Sequence, residues 1–259
     1  ETGTDELKFY YIVKKPRPIE YNTHVIDDIT FPFDKTSVSD NGRYIAGSAL
    51  GEGAIHNTEI NQTVTFSREG MDGDYIADVT NEGMVVGRAG TSASSQPAYR
   101  MLDGDWVLLP NNTKNGGSAA ASSSDGSVLG GHILDEDSDD LYRPALWVLN
   151  GTDYELVVLP MPEEDVQGNA PRGVKVVDIS ADGSVILGLF EYDFDELDMI
   201  YPLVWTKEGD DYTYTELGKS IPEGVLAGGG SLKFFLEDGL SLSGDGRYLT
   251  LGYTYLDME

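Results

Sequence analysis

Two short acidic runs hold the residues best suited to chemistry. Asp135-Glu136-Asp137-Ser138-Asp139-Asp140 and Asp193-Phe194-Asp195-Glu196-Leu197-Asp198 crowd carboxylates along one short stretch each. Ca²⁺ takes roughly six to eight oxygen ligands, and closely spaced carboxylates can supply several of them. Asp135, Asp137, Asp139, Asp193, Asp195 and Asp198 are therefore the candidate metal ligands. Neither run has the glycine or the closing glutamate of an EF-hand loop, so a solvated acidic loop stands beside calcium as the plainer reading. No cofactor is required by the sequence, and a hard cation such as Ca²⁺ is possible on these runs. His24, His56 and His132 show no metal-ligand spacing, which argues against zinc. There is no Gly-x-Ser-x-Gly elbow. Gly228-Gly229-Gly230 lacks the Lys-Ser/Thr ending of a phosphate loop. A glycosidase needs facing carboxylates. With 45 Asp+Glu in the chain, the sequence gives no way to choose a pair, and the catalytic residues stay unassigned.

The charge balance excludes several partners. Against those 45 acids stand 17 Lys+Arg, a formal net charge of −28 over 259 residues. Such a surface repels phosphate backbones and anionic lipid, so nucleic acid and membrane insertion are not expected. With 40% hydrophobic and 10% aromatic residues the chain still folds. Cys is absent, which removes disulfides, thiolate metal sites and cysteine nucleophiles. No apolar run reaches the roughly 18 residues of a membrane span. The chain starts Glu1-Thr2-Gly3 without Met, which suggests a processed or cut product, with 1–3 as a scar and the targeting segment removed.

The elements that position these residues come from a repeat. Five segments carry a short strand, a polar-Gly turn, a β-rich strand and a second Gly. They include Ser37-Val38-Ser39-Asp40-Asn41-Gly42, Ala121-Ser122-Ser123-Ser124-Asp125-Gly126 and Asp178-Ile179-Ser180-Ala181-Asp182-Gly183. The turn glycines are Gly42, Gly83, Gly126, Gly183 and Gly246. Asn-Gly and Asp-Gly suit a type I′ hairpin, with both central residues at positive φ. A second hairpin follows in the middle repeats, around Asp103-Gly104, Asn150-Gly151 and Glu208-Gly209. Each full repeat thus has four strands, a to d. In the first repeat Thr63–Phe66 is assigned to strand c. Trp147 and Trp205 fall at matching places in strand c and Trp106 in strand d, where they are expected to pack between units.

Four-stranded units at this spacing, with no sustained helical period, predict an all-β fold. The architecture expected is a five-bladed β-propeller of four-stranded antiparallel blades. It is a single domain over 1–259. The fifth repeat stops after strand b. The N-terminal stretches Leu7–Val13 and Ile19–Ile29 can supply its missing strands, so the N- and C-terminal strands together close the last blade and leave no open edge.

The Ser-x-Asp-Gly segments, each followed by a Pro-Ala-x-Trp-like strand, resemble the repeats of bacterial extracellular β-propeller proteins of the HAF-repeat type. The resemblance runs from about Ser37 to Gly252 and is clearest around Asp125-Gly126 with Trp147 and Asp182-Gly183 with Trp205. The second repeat departs with Glu82 at the turn, the last lacks the Trp strand, and the His-Ala-Phe triplet is absent. The resemblance implies a secreted or cell-surface protein of the Bacteroidetes kind. It brings no catalytic residues.

Strand parity then assigns the faces. The a–b and c–d turns fall on one face. The b–c and d–a connections fall on the other, including 48–61, 132–143, 161–173, 189–201 and 218–233. Long connections on a rigid scaffold are where binding is usually found. Two functions follow. The first is a non-catalytic binding module for a glycan or a protein on the long-connection face, and the sequence leans that way, away from an enzyme. The alternative is a glycan-active hydrolase or lyase with a carboxylate pair in the central funnel. The chain could also be part of a larger one.

Overall fold

A computed structural model describes residues 35–49, 52–66, 75–91, 95–112, 116–135, 141–163, 171–194, 197–217, 231–235, 240–250 and 253–257. They form twenty β-strands. The first unit is β1 (Lys35–Val38), β2 (Tyr44–Ala49), β3 (Glu52–Asn57) and β4 (Gln62–Phe66). The second is β5 (Tyr75–Val79), β6 (Val85–Ala89), β7 (Gln96–Arg100) and β8 (Trp106–Leu108). The third is β9 (Gly117–Ser122), β10 (Val128–Leu134), β11 (Tyr142–Asn150) and β12 (Asp153–Val158). The fourth is β13 (Gly173–Ile179), β14 (Val185–Phe194), β15 (Leu197–Glu208) and β16 (Asp211–Glu216). The fifth holds β17 (Ser231–Phe235), β18 (Ser241–Leu242), β19 (Leu249–Thr250) and β20 (Tyr253–Asp257). Among the described residues no helix is long and apolar enough to cross a membrane.

Units one to four are antiparallel in strand order a-b-c-d. The third and fourth join into one eight-stranded sheet through a single parallel bridge, Tyr142 to Gly173. A Cβ on Gly173 would sit 2.7 Å from the Tyr142 ring, so glycine is what lets the two units touch there. In the fifth unit β17 pairs β20 and β18 pairs β19, each as an antiparallel two-stranded ladder. Residues 1–34, expected to complete this unit, lie outside the described residues.

Two strand assignments are corrected. The first repeat's strand c is β3, and Thr63–Phe66 is strand d, because Glu52–Asn57 pairs both neighbours in full register. The stretch 189–201 is not a loop. β14 and β15 run on as a ladder to Phe194↔Leu197, since Phe190, Tyr192, Phe194, Ile200 and Tyr201 are strand-forming types.

The turns depart from type I′. All five turn glycines are left-handed, φ 69° to 79°, but the Asn, Asp or Glu before each is not. In four of the five turns the reason is that this side chain is already in use. In the fourth repeat, Ser180 Oγ accepts the Val185 N–H at 3.0 Å and donates to Asp182 Oδ1 at 2.8 Å, which also accepts the Ser184 N–H at 3.0 Å. The first, third and fifth repeats build the same knot on Ser39–Asn41, Ser123–Asp125 and Ser243–Asp245. The carboxylate caps backbone donors as an Asx turn, leaving the left-handed position to glycine alone. The turns are also chained together. Asn81 N–H donates to Ser124 O (2.8 Å), Ser124 N–H to Ala181 O (3.0 Å) and Ala181 N–H to Gly244 O (2.8 Å).

The core lies between units. Tyr44, Ala46 and Ile55 meet Ile76, Val79 and Val85 at the first seam. Trp147 packs against Met84, Val86 and Leu109 at the second. Trp205 packs against Val128, Leu146 and Leu159 at the third, and Leu187 and Leu189 meet Leu240 at the fourth. Trp147 and Trp205 are fully buried, and each donates its indole N–H across the seam at 2.7 Å, to Pro110 O and Pro160 O. Burying such a ring removes roughly 150–250 Å² from water, about 4–6 kcal/mol of transfer free energy.

Candidate functional site

The inner strands β1, β5, β9, β13 and β18 line one axial cavity of about 390 Å³. Its shape follows from a bulge. Ala77, Ala120 and Val177 are skipped in the pairing of β5, β9 and β13 with their neighbours. The bulged strand presses its carbonyls onto the next strand, and a glycine stands there. A Cβ on Gly87 would run into Tyr75 O, and one on Gly131 into Ser118 O. That steric demand explains the second glycine of the second repeat, Gly87; in the third repeat it falls on Gly131, one residue after Gly130, the glycine expected from the repeat, which instead meets Val176 and Ile179 of the next unit.

The bulge aims two carboxylates inward. Asp78 and Asp178 occupy the same place, five residues before the turn glycines Gly83 and Gly183. Both line the cavity. Asp78 Oδ1 accepts from Ser37 Oγ at 2.5 Å and Val79 N at 2.8 Å, and Oδ2 from Ser122 N at 2.8 Å and Ser122 Oγ at 2.7 Å. One carboxylate thus ties the first, second and third units together. Asp178 does the same for the fourth and fifth, accepting from Ile179 N (2.8 Å), Leu242 N (2.7 Å) and Ser241 Oγ (3.2 Å). Burial pushes both acids up from the usual carboxylate range, opposed by these donors, and for Asp178 the Asp78 charge adds to the rise. Asp40 also lines the cavity, and its carboxylate takes the Ser124 hydroxyl of the third unit.

A second polar group lies at the far ends of the strands. The His132 ring stands edge-on to Tyr142, with centroids 4.9 Å apart. Lys175 Nζ lies 4.8 Å from the same Tyr142 ring and 2.7 Å from Glu191 Oε1. Burial lowers the His132 pKa to about 3, helped by the positive charges of Lys175 and Arg88. This imidazole is neutral at physiological pH and a poor general base.

Of the expected calcium ligands, Asp135, Asp193 and Asp198 lie among the described residues. Asp135 is buried and takes the Arg143 guanidinium. Asp193 and Asp198 are ladder partners at the end of β14–β15. Asp137, Asp139 and Asp195 lie outside the described residues. Among the described residues no group of three His, Asp or Glu could hold a metal. The ladders that lead to the two acidic runs differ in length: β10–β11 pairs as far as Leu134↔Tyr142, and β14–β15 as far as Phe194↔Leu197. Asp78 and Asp178 were not among the site residues expected, although both open repeat segments at one fixed distance from the turn glycine.

No family model matches the chain, and no curated protein matches it in sequence. Solved structures do match in shape. A TolB-type protein of Agrobacterium tumefaciens aligns over 88% of this chain and 77% of its own, with 13% identity and a TM-score of 0.50. A gluconolactonase of Xanthomonas campestris covers 86% of this chain and 71% of its own at 11% identity, with a TM-score of 0.44. The first likeness, together with five inner strands around one cavity, carries the fold: this chain is a β-propeller.

Proposed function

We propose that this chain is a non-catalytic binding propeller, a five-bladed ring acting at a cell surface or outside the cell, which engages a glycan or a protein on its long-connection face. One observation carries the reading: the axial carboxylates are committed to holding the ring. Asp78 has all four lone-pair directions occupied by its neighbours, so neither oxygen is left to move a substrate proton. By strand order, the b–c and d–a connections leave from the strand ends opposite the knotted turns, which supports this reading. The test is thermal unfolding and equilibrium binding across a glycan array and a panel of surface proteins. A ligand that binds the folded state raises the midpoint by mass action. Binding that survives Asp178→Asn supports the module.

A second reading has its own support. Asp78 and Asp178 share one cavity, and both have raised pKa values. A glycan-active enzyme would need such an acid. Turnover of a glycan that vanishes in Asp178→Asn, at unchanged stability, would favour it over the module. Calcium belongs to the module reading as a loop ligand. A midpoint that rises with Ca²⁺, falls with EDTA, and loses the response in Asp137→Asn and Asp195→Asn would establish it.

A further inference from the structure

Four seams between the units follow one rule, and the parts of a fifth stand exposed. At the first seam the turn glycine of the second unit, Gly83, lies against the Tyr44 ring of the first, 2.9 Å from where a Cβ would be. At the second, Gly126 meets Met84. At the third, Gly183 meets Val128 at 2.7 Å, and at the fourth, Gly246 meets Val185 at 2.8 Å. In the other direction, the residue four before the turn glycine packs on the preceding unit in three of the four cases, the third unit instead placing Ser122 there, bonded to Asp78. Val79 and Ile179 do so fully and Leu242 in part.

The first and fifth units each carry one unmatched half of this arrangement. Tyr248 stands two residues after Gly246, as Tyr44 stands after Gly42. Tyr44 is 6% exposed, whereas Tyr248 is 67% exposed. Val38 stands four before Gly42, and it is 57% exposed where Val79 and Ile179 are buried. A Cβ on Gly42 would meet nothing within 4 Å. The chain of turn hydrogen bonds stops at Gly244, which accepts from Ala181. A tyrosine that lacks a glycine and a glycine that lacks a tyrosine are complementary surfaces.

We propose that these surfaces are two halves of a fifth seam, and that the fifth unit of this chain docks on its own first unit, with Tyr248 over Gly42 and Val38 covered. The inference rests on the five-bladed ring of the proposed function. The occupant is the chain itself because Ser37, Val38 and Asp40 of the first unit already share the axial cavity with Ser241, Leu242 and Gly244 of the fifth. The ring is also narrow. The Asp40 carboxylate of the first unit reaches Ser124 of the third, and both line the same cavity.

The chain has no cysteine, so engineered pairs report cleanly. Residues two before the turn glycine are bonded neighbours at the formed seams, as Ser124 is to Ala181. The control is therefore S124C/A181C, and the test is D40C/G244C. Under mild oxidation both are expected to give a monomeric disulfide. The test pair, which closes a very long loop, should raise Tm by about 5–10 °C. A covalent dimer from D40C/G244C would assign the seam to a second copy and overturn the proposal. Free thiols in the test pair, with the control oxidised, would mean that another segment separates the units, and would overturn it as well. Should the double variant fail to fold, Tyr248→Cys gives a second reading by maleimide labelling. A closed seam protects it about tenfold relative to the exposed Val107→Cys, and equal rates would contradict closure. A chain that closes yet binds no glycan or protein would sink the proposed function and leave the seam intact.

Discussion

The turn face and the long-connection face are made by opposite uses of the same residues. On the turn face, Ser and Asp are spent locally: each Ser-x-Asp-Gly knot satisfies its own backbone donors, and the turns bond to one another. On the long-connection face the acids are not repeated in kind. Asp135 answers to Arg143, Glu191 to Lys175, and Asp193 faces Asp198 across a ladder. A repeat records what every unit needs in order to stand beside its neighbour. What a particular protein does is written where the repeat fails.

The comparison can be broken first at the tryptophans, which anchor the strand ends leading into the long connections. Trp205→Ala removes a fully buried ring and its bond to Pro160, and should cost about 3–5 kcal/mol. In a chain of this length that lowers Tm by roughly 6–20 °C. Trp205→Phe keeps most of the packing and should lose only about 1 kcal/mol. Equal losses for the two variants would mean that the hydrogen bond, not the ring, holds the seam.

Asp78 comes next. Asp78→Ala leaves the Val79 and Ser122 N–H groups without their acceptor, a cost of about 2–3 kcal/mol by urea unfolding. The pH dependence separates the two kinds of aspartate. Burial raises Asp78 and Asp178 above 3.8, so the folded state holds those protons after the unfolded chain has released them. Their contribution is complete below 3.8 and is lost as pH rises through the folded values. The turn aspartates run the other way. Asp125 is lowered chiefly by the Ser127 N–H, and Asp182 and Asp245 chiefly by the Ser184 and Ser243 hydroxyls. Their contribution is present above 3.8 and is lost as pH falls through the folded values. Asp78→Asn should therefore flatten the fall in stability above pH 4, and Asp182→Asn the fall below it. If Asp78→Asn leaves the profile above pH 4 unchanged, the axial acids are not titrating as argued.

Ser180→Ala tests the knot alone. It removes the acceptor of the Val185 N–H and a donor to Asp182, and should cost about 1–2 kcal/mol. The same change at Ser184, which is half-buried and whose hydroxyl donates to Asp182 of its own turn, should cost less.

The balance of what was legible follows from this division. The five turn glycines, the strand order and the burial of Trp147 and Trp205 could be read because they recur. The type I′ turn could not: residue type alone does not say whether Asn41 or Asp125 will take positive φ or cap a backbone donor. Strand β3 was hidden by Gly51 and Gly53, which look like loop residues. Gly53 is there because the Phe66 ring lies over it. The run at 193–198 looked like a loop because it is acidic, yet backbone pairing is indifferent to charge at a hairpin end. Asp78 and Asp178 were visible as letters and invisible as clamps, since the Ser122 and Leu242 amides that define them come from the next unit.

The smallest effects should distinguish the faces most finely. Arg43 and Glu59 make a 3.1 Å pair beside the first turn, with side chains 40% and 61% exposed. Such a pair contributes about 0–1 kcal/mol, and salt screens it. Glu59→Gln should change stability by no more than about 0.5 kcal/mol, and by nothing measurable at 0.5 M salt. Lys175 and Glu191 are half-buried beside Tyr142 and His132, where water screens less. Glu191→Gln should cost more than Glu59→Gln at low salt, and the difference should persist in high salt. It should also remove the carboxylate paired with Lys175, leaving a freer cation near Tyr142 and His132. If that face binds the ligand, Glu191→Gln will shift affinity while Glu59→Gln will not. If both leave affinity untouched, binding lies away from the ends of β13 and β14.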